Sequence, residues 1–239
     1  MTNASHTVKA YDQDLKKLGT LVVQMGGLAE SQLAAAVNAV AKRDSDLAAD
    51  VVKADAKIDA LRTQLDEFAI NLLALRQPMA IDLRIIVSAL RISSELERIG
   101  DYAKNVAKRS MVLNQSPIVR PVSVVPRMAA MVQSMIKDTL DAYISDDAAK
   151  ADAVWLRDEE VDDMYNSLFR ELLTYMMEDP RSITACTHLL FIAKNIERIG
   201  DHTTNIAELI HYAVKGEMLK DERPKGDQTS FAVVDKAGE

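Results

Sequence analysis

Eight carboxylates stand at spacings able to gather cations. The stretch Glu97-Arg-Ile-Gly-Asp101 recurs residue for residue as Glu197-Arg-Ile-Gly-Asp201, and both copies continue alike to Asn105 and Asn205. Upstream lie Asp55-Ala-Lys-Ile-Asp59 and Asp158-Glu-Glu-Val-Asp162, each of the form Asp-x-x-hydrophobic-Asp. On a helix, an i, i+4 spacing sets both acids of a pair on one face. The first four acids are symmetric about Pro78 and the second four about the Asp179–Pro180 bond. If each proline-bearing stretch turns an antiparallel helical hairpin, Asp59 lies level with Glu97 and Asp55 with Asp101. By the same symmetry Asp162 lies level with Glu197 and Asp158 with Asp201, so a four-carboxylate layer is built twice. One such pair is ordinarily solvated surface. Like charges at this spacing disfavour the helix, however, and stacking two pairs in each half compounds the repulsion. A cation seated there would offset that cost.

Oxygen-only ligands suit hard or borderline ions such as Mg²⁺, Mn²⁺, Ca²⁺ or Fe better than structural zinc, which favours Cys and His. His202 follows Asp201 directly and offers a nitrogen ligand, with Tyr102 at the same place in the first half; an ordinary surface histidine is the simpler reading.

The elements that must carry these acids are helices. Val8, Tyr11, Leu15, Leu18, Val22, Met25 and Ala29 recur at alternating steps of three and four, predicting an amphipathic helix to about Ala41 that continues through Gly26-Gly27. Asp44 is a candidate N-cap. The rhythm then runs unbroken through Leu47, Val51, Ala54, Ile58, Leu61, Leu65, Phe68, Leu72 and Leu75, predicting one helix of roughly 42 Å that Pro78 ends. A third helix carries Ile85, Ala89, Ile92, Leu96, Ile99, Ala103 and Val106. Pro117, Pro121 and Pro126 bar continuous helix interior and mark a junction. A fourth helix carries Met128, Val132, Met135 and Thr139, with Ile136, Leu140 and Tyr143 alongside, and its Met128, Met131 and Met135 read as core rather than as an adaptable binding surface. A fifth restarts at Asp146 or Asp147 and runs through Trp155, Val161, Leu168 and Leu172 to Pro180. The sixth repeats the third.

The fold expected is all-α: a three-helix bundle over 8–114, a junction over 115–126, a second three-helix bundle over 127–216 and a disordered tail over 217–239. In the third helix the seam of Leu96, Ile99 and Ala103 leaves Glu97, Asp101 and Asn105 on the opposite face. Asp55 and Asp59 fall on the flank and back of the second. The acids are thus expected to be exposed, or to lie where the halves meet. Gly100 and Gly200, in mid-helix, each cost about 0.5–1 kcal/mol relative to Ala and point to close helix approach or room above the acidic face. Asp82 suits the positive end of the third helix, whereas Arg84 has either an acid or a partner's anion to grip.

Composition narrows the function classes. The chain has 239 residues, 48% hydrophobic and only 5% aromatic, which suits helix-on-helix packing. A net charge of −7, without a basic stripe interleaved with aromatics, argues against a nucleic-acid partner. Cys186 alone cannot form an internal disulfide, and no apolar stretch reaches the ~18 residues of a membrane span, so a soluble cytoplasmic protein is expected.

The doubled Glu-Arg-Ile-Gly-Asp motif, its extensions to Asn105 and Asn205, and Gln77-Pro-Met-Ala-Ile-Asp-Leu-Arg84 resemble the signatures of the PhoU family of phosphate-signalling regulators, over about residues 8–216. That resemblance implies two tandem three-helix bundles. It also implies surface metal clusters of divalent or iron-type ions (Fe, Zn, Mg or Mn) on Glu97, Asp101, Glu197 and Asp201, with Asp55, Asp59, Asp158 and Asp162 as companions. It further implies a homodimer that acts as a negative regulator when phosphate is plentiful, with the ATPase component of the phosphate ABC transporter and the phosphate-sensing histidine kinase as partners. The second turn, Asp179-Pro-Arg-Ser-Ile-Thr184, departs from the Pro-x-x-x-Asp-Leu-Arg form of Pro78 to Arg84.

Two other readings stand beside the regulator. One is a carboxylate-bridged di-metal enzyme, for which only Glu208-Leu-Ile-His211 has the Glu-x-x-His form, on the expected outer face. The other is a helical scaffold with decorative acids.

Overall fold

The computed structural model describes residues 2–117 and 120–219. It contains eight α-helices among those residues: α1 (Thr2–Lys42), α2 (Ser45–Ala54), α3 (Ala56–Arg76), α4 (Ile81–Leu113), α5 (Val124–Ser145), α6 (Ala148–Trp155), α7 (Asp158–Glu178) and α8 (Ile183–Lys215). Short 3₁₀ turns precede α5 and α8. The expected six helices are present, but the second and fifth are each split in two. Most of the tail, including Phe231 to Val234, lies outside the described residues.

Local chemistry sets the ends. The Asp44 carboxylate accepts from the Leu47 amide at 2.9 Å and caps α2. Asp147 does the same for α6 through Lys150, at 3.0 Å, while Asp146 takes the left-handed conformation that closes α5. Asp82 stands in the first turn of α4. Pro126 falls in the first turn of α5, where its missing amide hydrogen would have had no helical partner anyway.

The splits correct the expectation of an unbroken second helix. The hydrogen-bond ladder is interrupted at Asp55 and again at Leu156–Arg157, immediately before Asp158. Both interruptions adjoin the first acid of each motif. The buried stripe of α2 and α3 also runs differently from the expected seam: it follows Ala48, Val51, Asp55, Ile58, Leu65, Ala69 and Leu72. Leu47, Ala54 and Phe68 flank it half-buried. Asp55 is thereby carried into the interior.

α4 and α8 are the central helices. α1, α2 and α3 pack around α4, and α5, α6 and α7 around α8, so each half is a three-helix bundle in which one of the three is broken. The two central helices pack on each other along their lengths. Arg84 lies against Gly216, Glu95 bonds Asn205, Tyr102 lies under Arg198, and Arg109 lies over Phe191. They therefore run antiparallel, with the middle of the register at Gly100 and Gly200. One hydrophobic core spans both halves; Met25, Leu33, Ile58, Leu96, Ile99, Met128, Met135 and Ile196 are fully buried within it. Because α4 and α8 are covered on several sides, the face opposite the Leu96 seam is not a solvent face.

Candidate functional site

Four of the eight motif acids are buried. Asp55, Asp158, Asp162 and Glu197 retain only 5%, 2%, 3% and 4% of their accessible surface. Glu97 and Asp101 are partly covered and Asp59 is exposed. For these four the expectation of exposure is overturned: helical periodicity distinguishes a core seam from its opposite face, but it does not tell how many neighbours cover that face. A buried carboxylate needs compensation by hydrogen bonds or a countercharge. The two halves meet that need differently.

In the first half the compensation is a lysine. The Lys104 ammonium bridges α4 and the α2–α3 break: it donates to Asp55 Oδ2 and, at 2.6 Å, to Asp101 Oδ1. Asp55 also accepts from Gln32 Nε2 of α1 at 3.1 Å. Burial pulls Lys104 down, but hydrogen bonds to Asp101 and Asp55 outweigh it and hold the ammonium above the usual lysine value. Glu97 faces Arg62, with 3.2 Å between Oε1 and Nη1, and Arg98 reaches both Glu97 and Asp101 at the 4.0 Å and 3.9 Å fringe. The α4 side chain bonded to Asp55 is thus Lys104, three positions beyond Asp101, which the hairpin symmetry sets level with it. Asp59 is not beside Glu97: Arg62, nearly one turn on, faces Glu97 and puts a cation where an acid was expected.

In the second half the compensation of Glu197 is incomplete. Lys194 Nζ donates to Glu197 Oε1 at 2.9 Å, while Glu197 Oε2 is buried without a hydrogen bond. Burial pushes the Glu197 carboxyl up to about 7, against the pull of Lys194 and with the charges of Asp201 and Asp162 pushing the same way. Asp162 and Asp201 thus converge on Glu197. Asp158 lies beside Gly200, 3.9 Å from where a Cβ would stand. The position equivalent to Lys104 is Thr204, whose hydroxyl bonds the Asp201 carbonyl at 2.8 Å.

The two glycines differ accordingly. A Cβ on Gly100 would lie 2.8 Å from Ile58 Cδ1, 3.3 Å from Gln32 Oε1 and 3.5 Å from Asp55 Oδ1, whereas on Gly200 the nearest atom would be Val161 Cγ1 at 3.6 Å. Close approach explains the first and not the second.

The arrangement was tested as a metal site on its own donors. Among the described residues no group of three or more His, Cys, Asp or Glu side chains is set to hold an ion. In the first half the ammonium of Lys104 takes the place between Asp55 and Asp101 that an ion would need. As folded, the first half has that place filled, whereas in the second half Glu197 Oε2 stays without a hydrogen bond. Lys104 lies inside the repeated motif, yet it had no visible role in the sequence because only the fold brings it to Asp55. Lys194 and Gln32 gave no comparable signal.

His202 is not an ordinary surface histidine. Its Nδ1 donates to Glu95 Oε2 at 2.6 Å across the α4–α8 interface, and its ring stacks on Tyr102 with centroids 5.3 Å apart. Asn205 Nδ2 donates to the same Glu95 oxygen at 2.9 Å. Burial raises Glu95, but the bonds from His202 and Asn205 outweigh it and leave its carboxyl below the usual value. Glu208 and His211 are also drawn off the outer face: Trp155 Nε1 donates to Glu208 Oε1 at 2.9 Å, and His211 Nδ1 bonds Asp152 Oδ1 at 2.7 Å. They fasten α8 to α6. Arg84 grips no acid among the described residues; its guanidinium lies against Gly216 at the end of α8.

With two buried acidic clusters, one in each half of an internal repeat, comparison with known proteins becomes specific. The PhoU domain model matches residues 22–110 and again 125–210, one copy per bundle. The chain belongs to the PhoU family. It is 54% identical, over 94% of its length and 98% of the relative's, to the phosphate-specific transport system accessory protein PhoU homolog of Caulobacter vibrioides. It is 48% identical to the homolog of the same description from Zymomonas mobilis, over 92% of this chain and 93% of that one. The crystal structure of PhoU from Pseudomonas aeruginosa superposes with a TM-score of 0.83 at 41% identity, covering 87% of this chain and all of that one. The phosphate transport system regulatory protein PhoU from Streptococcus pneumoniae gives 0.82 at 29% identity, over 88% and 99%. No helix among the described residues is long and apolar enough to cross a membrane.

Proposed function

We propose that this chain is a negative regulator of phosphate uptake and of the phosphate-starvation response, and not an enzyme. It acts when phosphate is plentiful, as a cytoplasmic homodimer, through contacts with the ATPase component of a high-affinity phosphate ABC transporter and with a phosphate-sensing histidine kinase. The observation that carries this reading is similarity along nearly the whole chain to relatives described as accessory proteins of phosphate-specific transport. The enzyme reading gains no support from Glu208 and His211, which are engaged with Trp155 and Asp152.

A divalent or iron-type ion enters this proposal only as an accessory, because it would have to displace Lys104 from Asp55 and Asp101, or Lys194 from Glu197. Glu97, Asp101, Glu197, Asp201 and their companions would be its ligands. Equilibrium dialysis against Fe, Zn, Mg or Mn salts, comparing the protein with its Lys104→Met variant, tests that displacement.

The regulatory reading is tested with a phosphate-starvation reporter in phosphate-rich medium. Strains making the intact protein, Glu97→Ala/Asp101→Ala, or Glu197→Ala/Asp201→Ala are compared at matched abundance and helical content. Derepression in folded variants is expected. Full repression in a strain lacking the protein altogether would remove the proposal.

A further inference from the structure

The antiparallel pairing of α4 and α8 sets equivalent residues of the repeat on either side of the Gly100–Gly200 midpoint. On one side stands an internal anion, Glu95, to whose Oε2 His202 and Asn205 both donate. On the other side lies a groove of about 370 Å³, lined by Tyr102, Asn105, Lys108, Arg109, Phe191, Lys194, Asn195 and Arg198. There the repeat has changed from balanced to positive charge: Asn195 stands where its twin has Glu95, Lys108 where it has Glu208, Arg109 where it has Leu209 and Lys194 where it has Ser94, while Phe191 replaces Arg91.

The result is a groove with four cationic side chains and no carboxylate in its lining, on a chain of net charge −7. Lys194 is committed to Glu197 and lies 4.8 Å from the Tyr165 ring centroid. Lys108, Arg109 and Arg198 have no carboxylate partner among the described residues. Arg109 instead lies over the Phe191 ring at 4.0 Å and Arg198 over Tyr102 at 5.6 Å, contacts that fix their planes without neutralising them. Asn195 turns its amide back to the Phe191 carbonyl, at 2.5 Å, and offers nothing that replaces the missing charge. Like charges converging on a groove cost free energy unless an anion comes to them.

We infer that this groove is a binding site for a phosphate dianion, free or as the phosphoryl group of a small metabolite, seated where the other side of the pairing holds the Glu95 carboxylate. Three unpaired cations call for more negative charge than one carboxylate supplies, and guanidinium forks match phosphate oxygens in pairs. The volume beyond the anion, beside Phe191 and Tyr102, has room for a ring or sugar attached to it. Nearby, burial and then the charge of Arg109 hold the His188 imidazole below the usual histidine range. An anion on Arg109 relieves the second of these effects, which gives a local reporter. The inference goes beyond the regulatory reading and stands or falls separately from it.

The test uses the full chain in calorimetric titrations with inorganic phosphate and with adenosine monophosphate, at constant ionic strength with chloride as the background anion. NMR follows His188 in parallel. Saturable binding is expected, with an upward shift of the His188 titration. Arg109→Gln should weaken it about tenfold, the loss of one charge-assisted pair. Asn195→Glu, which rebuilds the twin's internal carboxylate, should abolish binding and raise the His188 titration without any ligand. Tighter binding of inorganic phosphate assigns the free anion, and tighter binding of the nucleotide assigns an attached phosphoryl group. Absence of binding by both probes, or equal binding by a folded Asn195→Glu variant, overturns the site.

Discussion

Replacing Glu197 by Gln should make this protein more stable, and only above mildly acidic pH. The side chain is buried on α8, and its carboxyl is pushed up to about 7 from an ordinary 4.5 by burial first and then by Asp201 and Asp162, against the pull of Lys194. An acid whose folded pKa is raised contributes fully below its unfolded value. That contribution is lost as pH rises through the folded value, because the unfolded chain releases the proton first. The window therefore runs from about 4.5 to about 7, and at ~1.4 kcal/mol per pH unit it corresponds to roughly 3 kcal/mol withheld at pH 8. Gln keeps the shape, still accepts from Lys194 and has no proton to lose. Urea melts of the two proteins should differ by less than ~1 kcal/mol at pH 5 and by up to roughly 3 kcal/mol, or some 6–12 °C in Tm, at pH 8. The same difference at both pH values, or destabilisation at pH 8, would refute the reasoning. It would show that Glu197 is ionised in the folded protein and gains more from Lys194 than it loses by burial.

The first half should respond in the opposite sense. Lys104→Met leaves Asp55 buried with only Gln32 as a side-chain donor, and denaturant melts should register a loss of about 2–4 kcal/mol, which a second change of Asp55→Asn recovers in large part. The two motif glycines should separate although their sequence surroundings match. Gly200→Ala fits its space and should stabilise by about 0.5–1 kcal/mol through backbone entropy. Gly100→Ala, pressed on Ile58 and Gln32, should cost about 1–2 kcal/mol net of that gain. Thermal melts of both variants at one pH check the pair.

Much of this molecule can be read from its residues. The periodicity of apolar positions gives the helices, the prolines at 78 and 180 give the hairpin turns, and Asp44 and Asp147 mark two helix starts. These features are local: each depends on a chain segment satisfying its own backbone and burying one stripe. The exact echo of Glu97 to Asp101 at Glu197 to Asp201 likewise reveals the repeat, and with it the family, without any coordinates.

What the sequence left undecided depends on which faces of different helices meet. The expected exposure failed for Glu197 because α8 is surrounded, so a residue off the seam is still covered, and for Asp55, Asp158 and Asp162 because the buried faces of α2–α3 and α7 run through them. Asp55 entered the core because it lies on the stripe of Ala48, Val51, Ile58, Leu65, Ala69 and Leu72 that α2 and α3 bury. Lys104 and Arg62 became the countercharges because a register shift of nearly one turn set them, and not Asp59, beside the α2–α3 and α4 acids. The two halves share a motif, yet one neutralises its carboxylates with a buried ammonium and the other leaves Glu197 short of a partner. The sequence by itself determined helices, turns and the repeat, since those follow from short-range periodicity. Only the tertiary structure decided which charges are buried and paired, since desolvation and Coulomb energy depend on neighbours far apart in the chain.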